Sequence, residues 1–143
     1  MAVVRLDEDG VRRRLTPARV ARLATVGSSG APHLVPITFV VDGDALLFAV
    51  DHKPKTTTAL QRLRNIERNP AVCVLADEYD EDWSQLWWAR VDGQAAVLDD
   101  PADIAAAMRA LQGKYEQYRE RPPHDLVVRI DITAWTGWAA SSS

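Results

Sequence analysis

Three β-rich segments near the N-terminus are joined by turns that are too short for anything but antiparallel pairing. The segments are Val20–Val26, His33–Val41 and residues 45–50, which are rich in β-branched and apolar side chains. The turn at 27–30 reads Gly-Ser-Ser-Gly and the turn at 42–44 reads Asp-Gly-Asp, both typical of tight turns. Because parallel strands need a crossover of about a dozen residues or more, this region predicts antiparallel strands.

The rest of the chain continues with two helical patterns and further strand patterns. One helix is predicted after Thr56, with apolar residues at helical spacing and Pro70 as its end. A second is predicted from Pro101 to Tyr118, because two aspartates before a proline favour a helix start. Residues 7–15 indicate a short polar helix or turn, and strand patterns occupy 71–79, 83–98 and 126–135. We therefore expect a mainly β fold with helices, a six-stranded antiparallel barrel with the helices at its ends.

Composition limits the partners that such a chain can have. Its 143 residues predict one domain, 1–143. With 17 basic and 20 acidic side chains the net charge is −3, which argues against nucleic acid or an anionic membrane as a partner. No apolar run approaches the ~18–20 residues of a spanning helix, and the N-terminus is too acidic for a secretory signal. A single cysteine, Cys73, forms no internal disulfide, so a cytoplasmic location is expected.

Positive charge is concentrated just before and within the first long helix. Lys53 and Lys55 flank Pro54, Thr56 offers a hydroxyl, and Arg62 lies one to two turns into the helix. Lysines as point charges, an arginine fork and unpaired N–H groups at a helix start together favour phosphate or polycarboxylate binding. The structural alternative is a solvated helix face with threonine capping.

Tryptophans form the second unusual feature. Trp83, Trp87 and Trp88 lie with Tyr79 in one turn-and-strand segment. Adjacent residues of a strand point to opposite faces, so only one of Trp87 and Trp88 can enter the core. The other requires a groove, a dimer interface or a flat ring on which to stack.

No constellation for metal binding or nucleophilic catalysis is present. The three histidines, His33, His52 and His124, lack partners at ligand spacing, so no metal site is expected. Cys73 lies mid-strand among apolar residues and is interpreted as a core side chain. The catalytic residues therefore stay unknown, and an enzyme of this sequence would rely on a cofactor for its chemistry.

Several segments together resemble a known superfamily. They are ARLATVGSSGAPHLVPITFVVDGDALLFAV, KPKTT with LRNIERNPAVCVL, the specific DEYDEDWSQLWWARVDGQAAVL, and IDITAWTGWAAS. Over about residues 16–140 the chain resembles the pyridoxamine 5'-phosphate oxidase-like split-barrel superfamily. Within it, the chain is most similar to small actinobacterial oxidoreductases that use coenzyme F420, a deazaflavin.

The resemblance implies a homodimeric, FMN-binding-like split barrel with a cofactor in a groove at the dimer interface. By position, the residues that it assigns to the phosphate or polyglutamate tail are Lys53, Lys55, Thr56 and Arg62. Those that it assigns to the ring system are Val35, Pro36 and Ile37 along one side and Ala49 and Val50 beneath. Trp88 or Trp87, with Trp135 and Trp138, would close the site from the other subunit. A cofactor beside Pro36 would also explain a proline inside a strand.

The function implied is hydride transfer between reduced F420 and a small unsaturated or conjugated substrate. FMN is the alternative cofactor, in an oxidase or reductase of the same fold. A non-catalytic F420- or FMN-binding protein is a second alternative, because no acid or base can be named. A nucleic-acid-binding barrel is a third, which the charge of −3 disfavours.

Overall fold

The computed structural model describes residues 3–50, 57–122 and 126–140, with side chains described from residue 61 in the second range. Strands and helices follow one another in a mainly β chain, as the sequence predicts. The strands are β1 (Val4–Arg5), β2 (Ala21–Val26), β3 (Pro32–Ile37), β4 (Val40–Asp42), β5 (Ala45–Val50), β6 (Ala71–Glu78), β7 (Trp87–Val97) and β8 (Leu126–Ala139). The helices are α1 (Glu8–Leu15), α2 (Thr57–Arg68), α3 (Pro101–Lys114) and α4 (Glu116–Glu120), with one 3₁₀ turn at Trp83–Gln85.

One antiparallel sheet contains these strands in the order β3-β2-β6-β7-β8-β5-β4, and β1 pairs with the end of β8. The predicted hairpin between β2 and β3 is confirmed. Its turn closes with the Gly27 N–H donating to the Ala31 carbonyl at 2.8 Å. Gly30 has a φ of 83°, a left-handed conformation that glycine adopts without strain.

The expectation of six strands was wrong, and the main reason lies between Ile37 and Val40. The predicted strand His33–Val41 is divided there, so that β3 ends at one edge of the sheet and β4 begins at the other. The Phe39 N–H donates to the Tyr115 hydroxyl at 3.1 Å, and the Thr38 hydroxyl pairs with that of Tyr118 at 2.7 Å. These bonds from the helices replace strand pairing. The short β1 makes up the difference between six strands and eight.

The position of this break forces the sheet to curl. We call residues 37–40 the seam. Seven strands in a flat sheet would place β3 and β4 about 29 Å apart, at ~4.8 Å per strand. Three peptide units span at most about 11 Å. The two edges are therefore brought together, and the sheet forms an incomplete barrel, which is the split-barrel architecture.

The interior of the curled sheet holds the main core. Its largest fully buried side chains include Phe39, Phe48 and Leu23, and Val11 and Leu15 of α1 add to it. Helix α1 is held on the sheet by Arg12. The Arg12 guanidinium lies 4.0 Å from the ring centre of Trp135 and donates to the Gly43 carbonyl.

A second, smaller core lies on the outer side of β5, where α3 packs. Leu47 and Val127 face Ala107 there, so β5 is buried on both faces, as its apolar sequence predicts. The predicted continuation of this helix to Tyr118 was wrong. Tyr115 is extended, with φ −118° and ψ 118°, and α4 starts after it as a separate helix. From this extended position the Tyr115 hydroxyl accepts from the Phe39 N–H at the seam and donates to the Arg19 carbonyl.

The strand predicted from Trp83 instead starts at Trp87. Asp82 caps the 3₁₀ turn by accepting from the N–H and the hydroxyl of Ser84, which takes residues 83–85 out of the sheet. Gly93 interrupts the long strand pattern of 83–98, and the structure has a register shift there, between Asp92 and Gly93. A Cβ at Gly93 would lie 2.4 Å from the Asp131 carbonyl oxygen, so this close approach needs glycine.

Candidate functional site

Helix α2, which follows the basic segment, is fixed to the barrel by a buried polar contact. Asn65 is fully buried, and its amide donates to the Thr25 hydroxyl at 3.0 Å and accepts from Gln61 at 2.7 Å. Buried polar groups are stable only when they are paired, so this contact specifies one position for α2 on β2. Lys53, Lys55 and Thr56, predicted to bind a phosphate, lie outside the described residues.

Arg62 is the predicted phosphate ligand that the structure does describe. It is half-buried, and its buried Nε has no hydrogen-bond partner among the described residues. Burial lowers the pKa of Arg62, and the nearby Tyr118 acts in the opposite direction. Arg64 and Arg68 on the same helix are exposed, as is usual for surface charges. Arg62 thus lies on the side of the barrel where its charge interacts with Tyr118.

A cavity of about 420 Å³, which we call the seam pocket, opens on that side. Its lining residues are Arg19, Thr38, Tyr115, Gln117 and Tyr118. The Arg19 guanidinium lies 4.6 Å from the ring centre of Tyr115 and donates to the Lys114 carbonyl at 3.1 Å. The Tyr115 hydroxyl in turn donates to the Arg19 carbonyl at 2.9 Å. The pocket is therefore built from the segment before β2, the seam and the α3–α4 junction.

Lys114 lies behind this pocket in an unusual environment. Its Nζ is 3.9 Å from the ring centre of Phe39 and 5.3 Å from that of Tyr115, and it is buried without a hydrogen-bond partner in the described chain. Burial, with the like charge of Arg19, lowers the pKa of Lys114 to about 8. The ammonium is thus held by aromatic rings alone.

The residues predicted to line the cofactor ring lie on β3, directly before the seam. Val35 and Ile37 are buried on the core side, whereas Pro36 is exposed. Among the strands that the structure describes, β3 pairs with β2 only, so no described strand covers its other edge. Pro32 and Pro36 are four residues apart on this edge strand and so have the same orientation relative to β2. Proline is tolerated at such positions when the backbone nitrogen points away from the neighbouring strand and no N–H is needed for pairing. A ligand at this edge would meet main-chain atoms and Pro36, and not the side chains of Val35 and Ile37.

The other two residues assigned to the ring lie on β5. Val50 is fully buried in the main core. Ala49 is half-buried and pairs with Val127 of β8. Both therefore serve the packing of β5, and Ala49 retains some exposed surface.

Trp88 lies elsewhere, in a larger cavity of about 720 Å³ on the outer face of the sheet, which we call the outer hollow. Trp88 and Trp138 are directly opposite each other on β7 and β8. Leu34 and Tyr79 add exposed apolar surface, at 67% and 65% exposure. The residues that line it are Arg22, Ala24, Leu34, Cys73, Leu75, Asp77, Glu78, Tyr79, Leu86, Trp87, Trp88, Arg90 and Trp138. The hollow is thus largely aromatic and aliphatic, with a charged rim.

The predicted division between the two adjacent tryptophans is seen in their contacts. Trp87 packs against the main core, and its indole N–H donates to Glu78 at 2.8 Å. Both tryptophans line the outer hollow, but Trp88 is not among the residues packed against the main core. Cys73, interpreted as a core residue, in fact lines this hollow and is half-buried, and burial raises the pKa of its thiol.

Sequence reasoning missed the residues that build the seam pocket. Tyr115 and Tyr118 were interpreted as part of one helix, although two tyrosines three residues apart after a lysine are an unusual helix end. Thr38 was interpreted as a strand residue. In the part of the chain that the structure describes, no three His, Cys, Asp or Glu side chains are grouped to hold a metal ion. No described helix has the length and apolar character needed to cross a membrane.

Comparisons with known proteins give a family from one family model and a shared fold from solved structures. A family model described as pyridoxamine 5'-phosphate oxidase matches residues 8–139. The crystal structure of a FAD-binding protein from Mesorhizobium loti is similar, with a TM-score of 0.76 and 23% identity, over 99% of this chain and 100% of that one. A FAD-binding protein from Mycobacterium smegmatis has a TM-score of 0.69 and 28% identity, over 94% and 96%. The heme storage protein HutZ from Vibrio cholerae has a TM-score of 0.67 and 16% identity, over 88% and 87%. No curated protein matches the sequence.

Proposed function

We propose that this chain, which belongs to the pyridoxamine 5'-phosphate oxidase family, is an oxidoreductase that binds coenzyme F420 and transfers a hydride to a small unsaturated or conjugated substrate. The observation that carries the proposal is Arg62, whose buried Nε lacks a partner in the described chain and lies toward Tyr118. A buried guanidinium donor without an acceptor is costly, and an anionic ligand would satisfy it. The FAD-binding protein from Mycobacterium smegmatis, at 28% identity, supports a flavin-type cofactor.

The residues of the chain would bind the two ends of such a cofactor differently. Lys53, Lys55, Thr56 and Arg62 would hold its phosphate or polyglutamate tail. The edge of β3 at residues 35–37 would lie along its ring, and on β5 the half-buried Ala49 would lie beneath the ring, with the buried Val50 supporting it from the core. When bound, the cofactor supplies the hydride chemistry, and the protein orients it against the substrate.

A second copy of the chain would complete the site. The outer hollow exposes Leu34, Tyr79, Trp88 and Trp138 on one continuous face, and such apolar patches mark interfaces. A homodimer that buries this face would bring Trp88 of one subunit toward the cofactor of the other. In this arrangement the cofactor ring of the other subunit would provide the flat surface on which Trp88 stacks.

Two alternative functions are compatible with the same fold. An FMN-dependent oxidase or reductase would need the same anion-binding residues. A cofactor-binding protein without turnover is also compatible, because the described site contains no assigned acid or base and HutZ, a heme storage protein, has a similar fold. Turnover with a substrate separates the enzyme from the binding protein.

The test is a fluorescence titration of the purified protein with F420, FMN and FAD in parallel. We expect F420 to bind most tightly. Arg62→Ala should weaken that binding about tenfold or more, since it removes a charge-assisted hydrogen bond. Lys55→Ala should weaken it as well, whereas Arg64→Ala, an exposed arginine on the same helix, should not. Binding of none of the three, or equal affinity in Arg62→Ala and Arg64→Ala, would refute the proposal.

If F420 binds, oxidation of reduced F420 is then followed against a panel of conjugated carbonyl compounds. Turnover with any member supports the enzyme. Tight binding without turnover across the panel would instead favour the cofactor-binding alternative.

A further inference from the structure

One cationic side chain lines the seam pocket, and two more interact with its tyrosine side chains. Arg19 lines the pocket, Lys114 lies behind Tyr115, and Arg62 lies beside Tyr118. Among the described residues, none of the three forms an ion pair within 4 Å, unlike Arg12, which pairs with Glu8. The buried atoms Lys114 Nζ and Arg62 Nε have no hydrogen-bond acceptor there. Arg19 itself is exposed, whereas a cationic group whose donor atoms are buried without an acceptor is costly unless an anion reaches it.

Arg19 is positioned to act on a ligand. Its guanidinium is fixed by stacking on Tyr115 and by one hydrogen bond to the Lys114 carbonyl. The planar group has five donors, so donors remain that face the pocket. A guanidinium held in one orientation loses little entropy when it binds a carboxylate or phosphate.

The hydroxyl groups of Thr38 and Tyr118 add a further donor. They share one hydrogen bond of 2.7 Å, in which only one of the two can donate. The proton of the other is then free, and it lies in the pocket wall. The Tyr115 hydroxyl is already satisfied, because it accepts from Phe39 and donates to Arg19. The pocket therefore presents donors and positive charge, and its volume of about 420 Å³ is within the ~300–1,000 Å³ of ligand sites.

We propose that the seam pocket is a binding site for an anionic oxygen group, a phosphate or a carboxylate, held by Arg19 and the Thr38–Tyr118 hydroxyl pair with Lys114 behind it. The identity of the molecule that carries this group, either the cofactor or the substrate, rests on the proposed function. The site itself does not require the basic segment at residues 53–56.

The experiment is a calorimetric titration of the purified protein with inorganic phosphate, first without cofactor and then loaded with F420. Without cofactor, we expect Arg19→Gln and Lys114→Met each to weaken phosphate binding about tenfold, and Tyr118→Phe to weaken it several-fold. Arg109→Gln, which changes an exposed arginine of α3, is the matched control and should bind as the wild type does. Tyr118→Phe removes one oxygen only, so its result stands if a larger change disturbs folding.

The loaded protein identifies the source of the anion. If F420 binding abolishes the phosphate signal, the pocket holds a group of the cofactor. If phosphate still binds and remains sensitive to Arg19→Gln, the pocket accepts the anion of a substrate. Absence of phosphate binding, or binding that is lost in Lys55→Ala but kept in Arg19→Gln and Tyr118→Phe, would overturn the inference. A protein that binds phosphate in this pocket and no cofactor would retain the inference while the proposed function fails.

Discussion

Replacement of Lys114 by methionine should stabilise the protein at neutral pH, although it removes a charge that a ligand would use. The pKa of Lys114 is lowered from 10.5 to about 8, mainly by burial. A shift of this size corresponds to roughly 3 kcal/mol against the charged form. Solvent screening at a partly exposed side chain reduces this to about 1–2 kcal/mol. Methionine would keep contact with the Phe39 ring, since sulfur also packs well against aromatic rings.

The effect has a defined pH dependence. The ammonium form is disfavoured in the folded state, so the full cost is present below pH 8, where Lys114 is charged in both states. Above pH 8 the folded protein releases this proton before the unfolded chain does, and the wild type gains stability up to about pH 10.5. The advantage of Lys114→Met should therefore shrink over this interval. Cys73 and Tyr115, whose pKa values are raised, act in the opposite direction but are present in both proteins.

Urea denaturation at pH 7, 9 and 10.5 measures the difference in the free energy of unfolding. The expected gain for Lys114→Met is about 1–2 kcal/mol at pH 7 and near zero at pH 10.5. Arg109→Met, an exposed position on the same helix, should change stability little at any pH. A variant that is less stable than the wild type at pH 7, or a gap that stays constant with pH, would refute the assignment of Lys114 as a costly buried cation.

Four further substitutions test how the site and the sheet around it are held. Asn65→Ala leaves a buried threonine hydroxyl without its donor and should cost about 1–3 kcal/mol in thermal or urea unfolding; a loss below ~0.5 kcal/mol would contradict the anchoring of α2. Tyr115→Phe leaves the Phe39 N–H unpaired and should cost a similar ~1–3 kcal/mol, with faster amide hydrogen exchange at the seam as its specific signature. Gly137→Ala places a Cβ 2.6 Å from a carbonyl oxygen of β7 and should destabilise the protein and alter the tryptophan near-ultraviolet circular dichroism, whereas Gly113→Ala, in open space on α3, should stabilise it by ~0.5–1 kcal/mol.

Local sequence patterns were sufficient for the elements that local chemistry determines. The β2–β3 hairpin follows from its glycine and serine turn, and α2 follows from its apolar spacing and Pro70. The register irregularity was visible as Gly93 within a long strand pattern. In each case the deciding interactions lie within a few residues of one another.

The seam and its pocket could not be predicted in this way. Apart from Pro36, residues 33–41 have strand-forming side chains on both sides of the break. The bonds that divide them come from Tyr115 and Tyr118, far along the chain. The residues after Lys114 likewise have helix-forming side chains. The extended backbone at Tyr115, which ends α3, is therefore an effect of tertiary contacts. Arg62 was identified because its charge is visible in the sequence, but its unpartnered Nε is a property of packing.

The bonds that close the seam join residues 76 and 80 positions apart in the chain. Contacts between residues so distant in the sequence cost loop-closure entropy. That cost is offset only after the intervening strands and helices have formed. The pocket should therefore form late on the folding pathway, so that a nascent or partly folded chain has no competent anion site. A ligand that occupies the pocket would then act on the finished barrel alone, and would slow its unfolding more than it would speed its folding.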